Sequence, residues 1–302
     1  MTPNFSESSD PSQGSSFEHV VRRVENGTVA LHAESFVADR TETGAKSTPV
    51  LLLSEAEAPS TRWPESLRRG LAERTGEVIW FDTRDCGRST YLDEPYELED
   101  LMLDAAAVLD AFEVERAHVL GRSMGGQVAQ QLALAMPQRV ESLTLLSTTP
   151  GHREDFGLPE EWLLDKMSAR LFNDPPLDDP GRAEWVVEQQ EWFSGPVFEF
   201  DREQWIAAAA VEVAQCWRGP NGHGAAVVDA PDIANYLERI MVSSLVIHGT
   251  ADPVYPVPHA QALAERLANS QLVLVEGLGH ELPEEFVGQL IDLMAQHVLP
   301  SR

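Results

Sequence analysis

Six short apolar runs punctuate the chain: PVLLL at 49–53, EVIWF at 77–81, AHVLG at 117–121, VESLTLL at 140–146, SLVIHG at 244–249 and QLVLV at 271–275. Most are separated by stretches with helical spacing. Val128, Leu132, Ala135 and Met136 share one face of a predicted helix, as do Phe286, Val287, Leu290 and Leu293 near the end of the chain. Strand and helix in alternation predict an α/β fold, a mostly parallel sheet flanked by helices. Ahead of it, Asn26-Gly27 separates HVVRRVE from TVALHAESFVA. That pair favours a tight hairpin with two positive φ angles, so the sheet is expected to open on two antiparallel strands.

Residues 150–240 break the alternation with long, acidic, helical segments interrupted by NDPPLDDPG and RGPNGHG. They predict a helical cap inserted into a core made of residues 19–149 and 241–302, after a polar, Ser-rich tail over 1–18. A chain of 302 residues is long enough for one sizeable core of this kind. The cap holds Trp162, Trp185, Trp192, Trp205 and Trp217, with Phe156, Phe172, Phe193, Phe198 and Phe200. Trp162, Trp185, Trp192, Phe193 and Trp205 are the candidate lining of an apolar or aromatic pocket. The other reading of the same residues is that the insert uses them for its own packing.

Lys and Arg number 22 against 49 Asp and Glu, a formal net charge of -27. Such a surface repels phosphate backbones and anionic lipid, so a small-molecule substrate is expected, with neither nucleic acid nor membrane as partner. The same excess also fits a salt-adapted or highly soluble protein. Cys86 and Cys216 make no disulfide framework and no metal-ligand spacing, which points to a reducing cytoplasm and to chemistry without metal or cofactor. The first 18 residues lack the basic start and apolar stretch of a secretory signal.

Gly121-Arg122-Ser123-Met124-Gly125 follows a predicted strand and opens a predicted helix. In that context G-x-S-x-G reads as a nucleophile elbow, a strained turn with Ser123 at its tip and the Met124 N–H aimed at a developing oxyanion. A serine hydroxyl needs a base, and the base a group to orient it. SLVIHGTADPVYP ends a strand in a loop carrying Asp252, and QLVLVEGLGHELPEE ends the next in a loop carrying His280. The order Ser123, Asp252, His280, each after a strand, predicts nucleophile, orienter and base. Of the other histidines, His248 ends a strand, His118 lies within one, and His223 and His259 read as loop residues. Asp82, Arg84 and Arg88 of DTRDCGRST read as a structural network, and Glu281 as a solvated side chain.

WPESLRRGLAERTGEVIWFDTRDCGRST, LDAFEVERAHVLGRSMGG, ADPVYPVPHA and GLGHELP together resemble the α/β-hydrolases of the aclacinomycin methylesterase type, over roughly residues 18–298. The resemblance implies the α/β-hydrolase fold, the same three catalytic residues, and a cap shaping a pocket for a flat aromatic polyketide whose carboxyl methyl ester is removed. One loop departs from the family. Where relatives carry glycines after the third strand to supply an oxyanion N–H, this chain has Ser54-Glu55-Ala56. The donor is expected from Ala56, with Glu55 next. Two outcomes are open: Glu55 faces solvent and the protein is an ordinary ester hydrolase, or the hole is rebuilt for a non-hydrolytic acid-base reaction such as a cyclisation, a rearrangement or a cofactor-free oxygenation. A proline iminopeptidase-like amidase and a ligand receptor with an inactive triad are further alternatives.

Overall fold

The computed structural model describes residues 16–39, 48–216 and 222–299. Among these, eight strands form one sheet: β1 (Phe17–Asn26), β2 (Val29–Ala38), β3 (Val50–Leu53), β4 (Glu77–Phe81), β5 (Ala117–Arg122), β6 (Val140–Leu146), β7 (Ser243–Gly249) and β8 (Ser270–Val275). Their order is β1-β2-β4-β3-β5-β6-β7-β8. The β1–β2 and β2–β4 pairs are antiparallel, and every pair from β4 through β8 is parallel.

The helices are α1 (Glu65–Thr75), α2 (Leu98–Ala111), α3 (Met124–Ala135), α4 (Glu161–Leu171), α5 (Asp179–Phe193), α6 (Arg202–Cys216), α7 (His223–Val228), α8 (Val257–Arg266) and α9 (Glu284–Val298). Successive residues of a strand point to opposite faces. Accordingly Leu51 and Leu53 of β3 join one core with Leu101, Val128, Leu132 and Leu263 of α2, α3 and α8. Val50 and Leu52 join the other with Leu67, Leu71, Phe286 and Leu290 of α1 and α9. Neither face of β3 is wet, which is why its sequence is unbroken in its hydrophobicity.

The hairpin forms one residue later than the Asn-Gly pair suggests. Asn26 pairs with Val29, leaving Gly27 and Thr28 at the tip. Gly27 alone there takes a positive φ, 62°, because a β-branched Thr resists that region and glycine enters it without steric cost. Strand β1 begins inside the segment read as a tail: Phe17 and Glu18 pair with Ala38 and Val37. Residues 1–15 lie outside the described residues, as does Trp217.

Helices α4 to α7 are inserted between β6 and β7, and residues 224–228 and 152–193 meet the carboxyl ends of β5 and the β8 loop around one cavity. Among the described residues no helix is long and apolar enough to cross a membrane.

Candidate active site

Ser123 sits between β5 and α3 with φ 53° and ψ -119°. A non-glycine residue in the left-handed region is strained, and here the surroundings over-determine it. Its N–H donates to Leu146 O at 3.0 Å, and its carbonyl accepts from Thr148 Oγ1 at 2.6 Å. The glycines explain the packing: a Cβ on Gly125 would collide with the Leu53 carbonyl, and one on Gly126 with the Thr148 side chain. The loop after β3 therefore lies directly on the N-terminus of α3, and Glu55 and Ala56 border the same cavity as Ser123 and Met124. Among the described residues, neither the Ala56 nor the Met124 N–H donates to a loop or cap carbonyl.

The other two predicted residues converge on this serine. His280 Nε2 is 3.0 Å from Ser123 Oγ, and His280 Nδ1 is 2.8 Å from Asp252 Oδ2. The second oxygen of Asp252 accepts the Val254 and Tyr255 N–H groups at 2.9 and 3.0 Å. Burial alone would raise the Asp252 carboxyl, but the facing His280, then His248 and the backbone N–H groups, hold it below its ordinary value. The imidazole of His280 makes edge contacts with the rings of Phe193 and Tyr255, with centroids at 5.3 and 5.6 Å. The His280 and Glu281 N–H groups both donate to Phe193 O, at 2.7 and 3.0 Å, so the end of α5 clamps the loop that carries the histidine.

Glu55 does not meet the first expectation held for it. It does not face solvent, being 5% exposed, and its charge is opposed by two guanidinium groups. Arg122 Nη2 is 2.8 Å from Glu55 Oε2, and Arg62 Nη1 is 3.5 Å from Oε1. Arg122 Nη2 also donates to the His280 carbonyl at 2.8 Å, and Arg62 holds Glu212 of α6 through Nε and Nη2 at 2.9 and 2.8 Å. Burial alone would lower the Arg62 guanidinium; Glu212 and Glu55 hold it above its ordinary value.

Glu281 is likewise not solvated: it is 6% exposed, and its Oε1 accepts from Trp205 Nε1 at 3.3 Å. Burial pushes its carboxyl up to about 7, with Arg122 and the Trp205 bond pulling down and Glu55 pushing up. Arg122 and Glu212 escaped sequence reasoning because pairing across distant segments leaves no local pattern. The only signal was Arg122 at the variable position of the elbow motif. His223 was missed too: it opens α7, fully buried. Its Nδ1 accepts the Glu57 N–H at 2.9 Å and its Nε2 donates to Arg84 O at 2.9 Å. His259, also read as a loop residue, lies in α8 and bonds Thr149 Oγ1 at 2.8 Å.

A family model, "Alpha/beta hydrolase family", matches residues 56–290. The chain belongs to the alpha/beta hydrolase family. Rhodomycin D methylesterase DauP of Streptomyces sp. (strain C5) is 31% identical to this hydrolase over 258 residues, covering 78% of this chain and 85% of DauP. 3-Oxoadipate enol-lactonase 2 of Acinetobacter baylyi is 27% identical over 66% of this chain and 70% of its own length. Among solved structures, a hydrolase from Pseudomonas aeruginosa PA01 superposes with a TM-score of 0.67 at 26% identity, covering 94% of this chain and 99% of its own. The protein is thus a hydrolytic enzyme of a family whose named relatives include esterases and lactonases.

The hydrolase encloses a cavity of about 420 Å³ beside Ser123 and His280. Its walls are mainly apolar, with Leu158, Leu164, Met167, Val227 and Val254 prominent, and polar residues such as Glu57, His152, Gln189 and Gln190 also border it. Of the aromatic residues expected there, Phe193 lines it, whereas Trp162, Trp185, Trp192 and Trp205 do not. Each has another use. Trp162 is 44% exposed, the Arg170 guanidinium lies over the Trp185 and Trp192 rings at 4.1 and 4.4 Å, and Trp205 stacks on Phe200 at 6.1 Å. Helices α5 and α6 bury a small aliphatic core of Ala183, Val186, Val187, Ala209 and Val213, with Phe200 and Trp205 packed against it, while the Trp185 and Trp192 rings lie under a cation.

Proposed function

We propose that this hydrolase cleaves a carboxylic ester of a mainly apolar small molecule through an acyl-enzyme on Ser123. The observation that carries the reading is the chain of contacts from Ser123 Oγ to His280 Nε2 at 3.0 Å and from His280 Nδ1 to Asp252 Oδ2 at 2.8 Å, at the floor of an apolar cavity. Ser123 Oγ attacks the ester carbonyl carbon as its proton passes to His280 Nε2. The carbonyl oxygen becomes an oxyanion that accepts from the Met124 and Ala56 N–H groups. The carbon–oxygen bond then breaks, and the leaving alcohol takes the proton from His280. Water repeats the sequence on the acyl-enzyme, its proton going to His280 and then to Ser123 Oγ as the acid leaves. Asp252, fully buried, orients the ring and stabilises its charged form without taking the proton.

The pairing of Glu55 with Arg122 supports hydrolysis over a non-hydrolytic use of the scaffold, since the carboxylate that motivated that alternative is turned toward a guanidinium. The similarity to DauP supports a methyl ester of a polycyclic, polyketide-derived acid as the substrate class. A cytoplasmic setting is part of the proposal and rests on the two-cysteine composition. Replacing Ser123 tests it: Ser123→Ala is expected to lose ester cleavage by on the order of 10⁶-fold in kcat, together with all labelling by a fluorophosphonate probe. Retained turnover in that variant sinks the mechanism.

A further inference from the structure

The cavity wall carries a polar group that ester cleavage does not use. Gln190 of α5 lines the same cavity as Ser123 and His280. The residue is 1% exposed, and among the described residues its Oε1, itself closed off from water, has no hydrogen-bond partner. The residues around it on the buried side of α5, Val186, Val187 and Phe193, are apolar. Residues three apart on a helix share a face, so Gln190 stands one turn back from Phe193, whose ring edges His280. The neighbouring Gln189 also borders the cavity, but its Oε1 already accepts from Arg170 Nη1 at 3.2 Å. A buried acceptor without a donor destabilises the fold, and an aliphatic side chain of the same length would fill the position without that cost.

We propose that Gln190 is a specificity-determining residue whose side-chain amide turns toward the cavity on binding, so that Oε1 accepts a hydrogen bond from the acyl part of the substrate. The preferred ester is then a mainly apolar acyl group bearing an O–H or N–H donor within reach of α5, and the same skeleton without the donor is rejected. A site built to hydrogen-bond a substrate hydroxyl discriminates strongly against the analogue lacking it, because the protein's own polar group is then left unpaired. The proposal rests on the reading of the cavity as an ester-binding site and extends it to the chemistry of the acyl group.

The test uses methyl naphthoates in three sets: unsubstituted, carrying one hydroxyl at each ring position in turn, and carrying the matching methoxyl. Binding is measured on Ser123→Ala, which holds the ester without turning it over, and again with Gln190→Leu or Gln190→Met added. At least one hydroxyl isomer is expected to bind roughly 10²- to 10⁴-fold more tightly than both counterparts, and either Gln190 change is expected to level the three affinities. Equal affinities across the sets, or a hydroxyl preference that survives both Gln190 changes, overturns the proposal. Turnover by the wild-type enzyme separates it from the underlying reading. A hydroxyl preference in binding with no cleavage of any ester by wild type removes the hydrolase mechanism and leaves Gln190 as a recognition group. Cleavage of all three sets at equal kcat/KM does the reverse.

Discussion

Glu281 follows His280 in the chain yet borders a different space, an acidic hollow shared with Trp205, Glu284 and Glu285 on the far side of the loop. Burial lifts its carboxyl from 4.5 to about 7, a displacement worth about 3 kcal/mol. The sign follows from the direction. A carboxyl whose folded value lies above its unfolded one contributes stability that is full below about 4.5 and is lost as pH rises through about 7. The unfolding free energy of the wild type is therefore expected to fall across that window, by on the order of 3 kcal/mol relative to Glu281→Gln, which has no proton to lose. Urea titrations of both proteins at several pH values check it; parallel pH profiles would contradict the assignment.

At the scale of elements, three loops that must stay in register for catalysis are joined by one guanidinium. Arg122 of the elbow reaches Glu55 of the loop after β3 and the His280 carbonyl of the loop after β8 with the same nitrogen. A buried ion pair is weak evidence of net stability, but removing one partner leaves an uncompensated charge. Glu55→Gln and Arg122→Met are each expected to lose about 3–5 kcal/mol. The double variant is expected to lose clearly less than the sum of the two, a coupling measurable by a double-mutant cycle in urea. Additive losses would mean that the two side chains act independently. At the same scale, Gly125 belongs to the elbow motif for the sake of a neighbour, since it is the Leu53 carbonyl that leaves no room for a side chain.

The whole molecule carries a formal charge of -27, and self-repulsion of that size destabilises the compact state. Raising salt from about 0.05 M to about 1 M, where the Debye length is roughly 3 Å, is expected to raise the Tm by several degrees in a scanning melt, at roughly 2–4 °C per kcal/mol recovered. A Tm that is flat or falling with salt would show that the charges are already locally compensated.

The sheet was legible at this scale because runs such as Leu51–Leu53 are buried on both faces and so carry no polar interruption. Ser123, Asp252 and His280 were legible because each follows a strand, and parallel strands bring their ends together. Glu55, Glu212 and Glu281 were not, since whether a charged residue meets water or a guanidinium depends on segments far away in the chain. The tryptophans misled for a related reason: composition places aromatics in the inserted helices, but only packing decides whether a ring faces the cavity, as Phe193 does, or an arginine, as Trp185 does.

The carbonyl of Phe193, which accepts from both His280 and Glu281, has a consequence for traffic through the site. An outward movement of the end of α5 would break both bonds and pull on the histidine's own loop, because the last carbonyl of the helix is held by it. Leu158, Leu164 and Val228 of the same cavity are 64, 39 and 74% exposed and take no part in the triad's hydrogen bonds, so widening the cavity there leaves the catalytic geometry untouched.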